Sequence, residues 1–254
     1  MKAIGTRRRK TALGRLKSAA AILTAAAALW TLSGCGVYRG EVTRMGAPAS
    51  SEYVTLVQGA VDGFKQKTGV LPIKNSTETT PIYEKYPIDF KKLQDANLLS
   101  VIPTNAFENG GTARYVLVNA ETKPEVKLLD LPTYQVVGDL QNAVNDYIRG
   151  HAGTIPQADE VAAGFYAIDY DKLKRKPLEL RSPYSRQFVG VVIDRGGNVG
   201  IDYTQDIKNA IAKKGAALDL QIDLRTLLVE QSAFVPAWSF PYRLKDGQPV
   251  LSQT

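Results

Sequence analysis

A stretch of this chain comes back. Residues 53–72, YVTLVQGAVDGFKQKTGVLP, reappear at 136–156 as VVGDLQNAVNDYIRGHAGTIP with one residue inserted. Gln58, Ala60 and Val61 align with Gln141, Ala143 and Val144, and Gly69 and Pro72 align with Gly153 and Pro156. In both copies the apolar positions recur every three or four residues, the spacing of one helical face. Each helix then meets a Gly, which accepts the left-handed conformation that ends a helix, and a Pro three residues on that forbids its continuation. A duplicated unit this short cannot bury its apolar face alone, so neighbouring copies have to share cores.

A second signature repeats three times. Ile88-Asp89-Phe90-Lys91-Lys92-Leu93 is matched by Ile168-Asp169-Tyr170-Asp171-Lys172-Leu173 and by Ile222-Asp223-Leu224-Arg225-Thr226-Leu227. Asp suits the N-cap of a short helix, with the preceding Ile stapled onto it. A hairpin pattern comes after each copy: 115–118 with 126–129 around Lys123-Pro124, 187–194 with 199–203 around Arg195-Gly196-Gly197-Asn198, and 241–244 with 250–251 around Lys245-Asp246-Gly247. Between the second and third hairpins, 205–214 reads as a shorter helix.

The expected fold is therefore α+β, built of tandem helix-plus-antiparallel-hairpin modules, two clear (51–135 and 136–203) and a third degenerate (204–254). Residues 35–50, with Gly46, Pro48 and Ser50 and few apolar side chains, read as a flexible tether.

Residues 1–34 read as an export signal, with a basic start and an apolar core from Ala19 to Leu32. That core is short of the about 20 residues of a permanent membrane helix. Seven of the chain's 32 Lys and Arg lie in this segment against no acid. The remainder carries 25 basic and 25 acidic residues, so the overall charge of +7 belongs to the signal and gives no support to nucleic-acid binding. The core ends in Leu32-Ser33-Gly34-Cys35, which resembles the lipobox of bacterial lipoproteins. That resemblance implies cleavage before Cys35 and a diacylglycerol thioether on its thiol. Cys35 is the only cysteine, so no disulfide forms within the chain and stability falls to the apolar core.

Catalytic patterns are sparse. His151 is the single histidine, and no Gly-x-Ser-x-Gly elbow offers a serine nucleophile. Without a second His or a free Cys, no His/Cys metal site is expected, and DRGGN at 194–198 lacks EF-hand spacing. Asp89, Asp169 and Asp223 read as caps rather than acid–base pairs, because a repeated position gives each the same surroundings. No cofactor is expected. The aromatics Tyr83, Tyr86, Tyr184, Trp238, Phe240 and Tyr242 lie beside prolines and either cover a sheet edge or line a groove. Tyr184, Trp238, Phe240 and Tyr242 form the candidate ligand or partner patch.

One unit, a helix, a Gly-x-x-Pro turn and a hairpin, resembles the globular part of type II secretion pseudopilins. A more extensive resemblance rests on the lipobox, PIYEKYPIDFKKL at 81–93, SPYS at 182–185, DLRTLL at 223–228 and FVPAWSFPY at 234–242. These are similar to a family of uncharacterised lipoproteins of spore-forming Gram-positive bacteria. Some members carry the label ABC transporter periplasmic binding protein. The resemblance implies export, lipidation and a shared fold. The expected function is thus a non-enzymatic binding or structural role at the extracytoplasmic face of the cell membrane. The lipid on Cys35 is the anchor, and an envelope protein or the cell wall is the partner. The alternatives are a solute-binding component of an ABC importer and an envelope hydrolase.

Overall fold

In the computed structural model, which describes residues 50–215 and 222–253, the duplicated segment is helical both times. Cys35 and the signal lie outside the described residues. The first copy is α1 (Ser50–Thr68), with Val57, Ala60, Val61 and Phe64 buried along one stripe. Lys65 and Lys67 occupy its last turn, where positive charge meets the helix's carbonyl end. Gly69 ends it at φ +76°. Next come α2 (Phe90–Asp95), capped by Asp89, and the antiparallel hairpin of β1 (Ala113–Val118) and β2 (Glu125–Asp130).

The second copy is α3 (Leu131–Gly150). It starts ahead of the repeat because Pro132 in its first turn supplies a helical φ and needs no N–H partner. Six short strands come after it: β3 (Gln157–Ala162), β4 (Phe165–Ile168), β5 (Leu180–Arg181), β6 (Phe188–Val189), β7 (Val191–Asp194) and β8 (Val199–Ile201). Four of them form an antiparallel sheet in the order β3-β4-β7-β8. The chain continues through α4 (Thr204–Lys214), α5 (Arg225–Gln231) and a last hairpin of β9 (Tyr242–Lys245) and β10 (Gln248–Leu251). The fold is α+β.

The matched residues of the two copies make the same bonds. Gln58 donates to Pro124 O at 3.1 Å and accepts from Val126 N at 2.7 Å. Gln141 donates to Gly197 O and accepts from Val199 N, both at 2.8 Å. Each glutamine thus clamps its helix onto the turn of its own hairpin. Pro72 O accepts from Asp89 N and Pro156 O from Asp169 N, at 2.8 and 2.9 Å. Lys92 and Lys172 each reach the carbonyl of the residue after that proline, at 2.8 and 3.0 Å. The helix-to-hairpin joint is therefore the unit of the duplication.

Removing a clamp leaves a buried N–H and a carbonyl without partners, which costs about 1–3 kcal/mol. Gln58→Ala and Gln141→Ala should each lower unfolding free energy by that amount, read from urea midpoints at unchanged m-value. Gln→Glu keeps the acceptor but sets a carboxylate oxygen against the carbonyl of Pro124 or Gly197, so it should not restore the parent's stability. An alanine variant within about 0.5 kcal/mol of the parent, the range of neutral surface changes, would show the clamp to be decorative.

Two of the three expected aspartate caps differ from the sequence pattern. Asp89 caps α2, its Oδ1 accepting from Lys91 N at 3.1 Å. Asp169 accepts from Lys172 N at 3.1 Å, but residues 170–173 form a turn, not a helix. Lys174 adopts φ +53° and Pro177 lies just beyond, so the run cannot propagate. Asp223 accepts from the backbone N–H groups of both Arg225 and Tyr242, at 3.1 and 3.2 Å, and pairs with the Arg225 guanidinium at 2.6 Å. It is a junction between α5 and β9 as much as a cap.

Hairpin β1–β2 is buried on both faces. Tyr115, Leu117, Val126 and Leu128 pack with Val57 and Val61 of α1 and Leu93 of α2. On the opposite face Val116, Val118 and Leu129 pack with Val229 and Val235 near the C-terminal end. Leu128 exchanges backbone bonds with Ala233 and Val235, so residues 233–235 run beside β2 as a further extended segment. Lys127, almost wholly buried, donates to Val229 O and Ser232 O at 2.6 and 2.9 Å, carbonyls at the C-terminal end of α5. A separate core holds Leu140 and Val144 of α3, Ile193 and Ile201 of the sheet, Ile207 of α4 and Leu227 of α5. This crossing of residues 225–239 between the two cores positions the candidate site.

Candidate functional site

The segment FVPAWSFPY does not present its aromatics together. Tyr242 is fully buried; its hydroxyl donates to Asp202 Oδ1 and accepts from Tyr203 N, both at 2.9 Å. It is a core residue and leaves the candidate patch. The reason is local: β9 alternates, and Tyr242 takes the inward position. Tyr184 stands apart from Trp238 as well, edge-on to Tyr203 with centroids 5.3 Å apart. Tyr86 packs into the first core. Trp238 and Phe240 remain, and they meet Tyr83, Glu84, Tyr134 and Arg225 around a groove of about 460 Å³.

Trp238 is the fixed point of this groove. Its backbone sits at φ +52°, a left-handed conformation that a bulky residue holds only when its surroundings impose it. Three contacts do so. The indole N–H donates to Tyr134 O at 3.0 Å, Trp238 O accepts from Ile201 N at 2.5 Å, and Glu84 accepts from the Trp238 N–H. The Tyr134 hydroxyl donates to the same Glu84 carboxylate at 2.8 Å, and its ring lies 5.6 Å from the tryptophan ring. Phe240 stacks edge-on to Phe165 at 4.9 Å and lies flat against Gly200, where a Cβ would fall 2.5 Å from its ring. Gly200 is thus a requirement of close approach.

Charge enters from two sides. Burial raises the Glu84 pKa, opposed by its bonds to Tyr134 and Trp238. Arg225 is held by Asp223 and by Ser239 O, and its guanidinium lies 5.1 Å over the Tyr83 ring. Burial likewise pushes the Tyr83 and Tyr134 phenols up to about 12, so both stay neutral donors at physiological pH. Ile82, 65% exposed, stands at the mouth. The arrangement offers flat aromatic walls, one carboxylate and one guanidinium, all in fixed positions. Glu84 and Tyr134 escaped the sequence reading because their pairing spans 50 residues and no local pattern announces it.

The other candidates are accounted for locally. His151 is exposed, stacks on Tyr147 at 3.8 Å and bonds Tyr147 O through Nδ1 at 2.8 Å, closing α3. Asp194 accepts from the backbone and side-chain nitrogens of Asn198, at 2.8 and 2.9 Å, so DRGGN is a self-closed hairpin tip. Among the described residues no group of three or more His, Cys, Asp or Glu is placed to hold a metal ion, and no helix is long and apolar enough to cross a membrane.

No curated protein matches this chain, and no solved structure does, a pseudopilin included. One family does: residues 50–130, which run from α1 through the first hairpin, match the YphF family N-terminal domain. The first helix-and-hairpin unit is therefore similar to a domain already defined as a family, and the match ends at Asp130, the residue before α3 begins.

Proposed function

We propose that this protein is a lipid-anchored, non-enzymatic binding module on the extracytoplasmic face of the cell membrane. In this reading it is tethered through Cys35 and engages an envelope protein or wall polymer with the Trp238 groove. The observation that carries the binding role is the state of the groove's charged groups. Arg225 is committed to Asp223 and Ser239, and Glu84 to Tyr134 and Trp238. Both therefore hold aromatic surfaces in place: the Tyr83 ring is buried beneath Arg225, and the surfaces left partly open are those of Trp238 and Phe240 beside the exposed Ile82. Rigid aromatics beside a fixed polar group are the usual anchors of an interface.

Trp238 is the only tryptophan after residue 34, so its emission reports the groove alone. A soluble form beginning after Cys35 should sediment with isolated cell envelopes and shift its emission on doing so. Ile82→Glu, which touches no core, should weaken sedimentation at least about tenfold, as a lost interface anchor does. Trp238→Ala should do the same while remaining folded by circular dichroism. If neither variant changes envelope binding, the groove is not the interface. A saturable emission shift with a free sugar, amino acid or short peptide would instead favour the solute-binding alternative.

A further inference from the structure

Asp206 is a buried carboxylate that no described residue holds by a hydrogen bond. It is 3% exposed, and neither oxygen has a hydrogen-bond partner among the described residues. It sits in the first turn of α4, where Asp202 Oδ1 accepts from Thr204 N at 2.9 Å and Asp206 itself makes no capping bond. A carboxylate without donors in such a place destabilises the fold, and an isolated group of this kind asks for a function.

Close by, the Tyr184 hydroxyl is buried and without a partner among the described residues too. Burial lifts its pKa well above the ordinary phenol value, so it remains a neutral hydroxyl. Both groups line one pocket of about 400 Å³ between α4 and α5, within the size range of small-molecule sites. Among the described residues, the other polar groups of the lining are the neutral Ser185, Asn209, Gln231 and Ser232 and one exposed cation, Lys213. This pocket and the Trp238 groove share no lining residue.

An ionised carboxylate only accepts hydrogen bonds, and its two oxygens together offer about four acceptor sites. A compact, positively charged group rich in N–H donors completes such a site. We propose that the pocket between α4 and α5 binds a small organic cation, an ammonium or guanidinium compound, through the carboxylate of Asp206, with the Tyr184 hydroxyl as a second contact. A guanidinium satisfies both oxygens at once in a bidentate pair, whereas an ammonium satisfies them one hydrogen at a time.

The test uses the soluble chain beginning after Cys35, with agmatine, putrescine and n-butylammonium as cations and n-butylurea as the neutral control. Calorimetric titration and melting temperature are the readouts. At least one cation should bind saturably and raise the melting temperature, and n-butylurea should do neither. Agmatine binding more tightly than n-butylammonium would identify guanidinium as the preferred group. Asp206→Asn should weaken binding at least about tenfold while melting at or above the parent temperature without ligand. Tyr184→Phe should weaken it less. The proposal is overturned if no cation binds the parent, or if Asp206→Asn binds equally well. It is also overturned if that variant melts lower than the parent, the sign of a structural carboxylate. Trp238 emission stays unchanged throughout, which keeps this result separate from that of the groove.

Discussion

Gly111→Ala is expected to destabilise the first helix-and-hairpin unit by at least about 3 kcal/mol, above the usual cost of overpacking. The added Cβ would stand 2.1 Å from the carbonyl carbon of Asn105 and 2.2 Å from its oxygen. A clash with the end of a long side chain is relieved by rotation; this one is with backbone. The loop from Asn105 folds back tightly here, with Gly111 N donating to Ala106 O at 2.8 Å and Ala113 N to Asn105 O at 2.9 Å. Room for a methyl group comes only by opening that loop, and the opening strips the buried Tyr115 of its 2.7 Å bond to Asn105. Domains of this kind are stable by about 5–15 kcal/mol, so the loss is a large share of the whole. Gly59 supplies the control. It lies exposed in the middle of α1, where an added Cβ would meet nothing within 4 Å, and Gly59→Ala should stabilise by about 0.5–1 kcal/mol. Urea unfolding of both variants decides the matter. A Gly111→Ala protein within about 1 kcal/mol of the parent would contradict the backbone path of residues 105–113.

Helical periodicity and turn residues were legible in the sequence; short capped runs were less so, since the one after Asp169 is a turn and not a helix. The duplicated helices, the Gly-x-x-Pro stops and the three hairpins are all written in spacing and in turn residues, and they are present. The hairpin of β3 and β4 was not legible: β3, QADEVA, is almost wholly exposed and shows no alternation of apolar and polar residues, because it is an edge strand with no core against it. The match of Gln58 with Gln141 was plain, but its meaning required the hairpin turns to be placed in space. Tyr242 was misread because an aromatic beside a proline looks like surface, whereas strand alternation buries it. Asp206 left one local trace. It is four residues before the buried Ala210 and next to the buried Ile207, so helical spacing already sets it on the core side of α4. An acid on an apolar stripe is the kind of inconsistency that marks a functional position.

The largest effect expected outside the described residues is at Cys35. In the proposed reading, Cys35→Ala leaves the chain without acyl groups, uncleaved before position 35 and no longer held through lipid. The energetics are steep: each buried methylene contributes about 0.8 kcal/mol, one acyl chain gives marginal and reversible attachment, and two or more give a stable one. Loss of the thiol removes them all together, because the diacylglycerol is joined at that sulfur and further acylation requires the cleaved residue. Cys35→Ser separates chemistry from shape, since it keeps the size of the side chain while offering no thiol for the thioether. Three readings should move in concert in both variants: incorporation of an alkynyl fatty acid falls to background, the intact mass shows residues 1–34 retained, and the protein no longer partitions into a detergent phase as a diacylated species. In the same reading residues 1–35 serve export and anchoring alone, so the melting temperature of a soluble form beginning after Cys35 should equal that of the full-length protein extracted in detergent. Continued fatty-acid incorporation in the serine variant would place the lipid elsewhere, and with it the anchor.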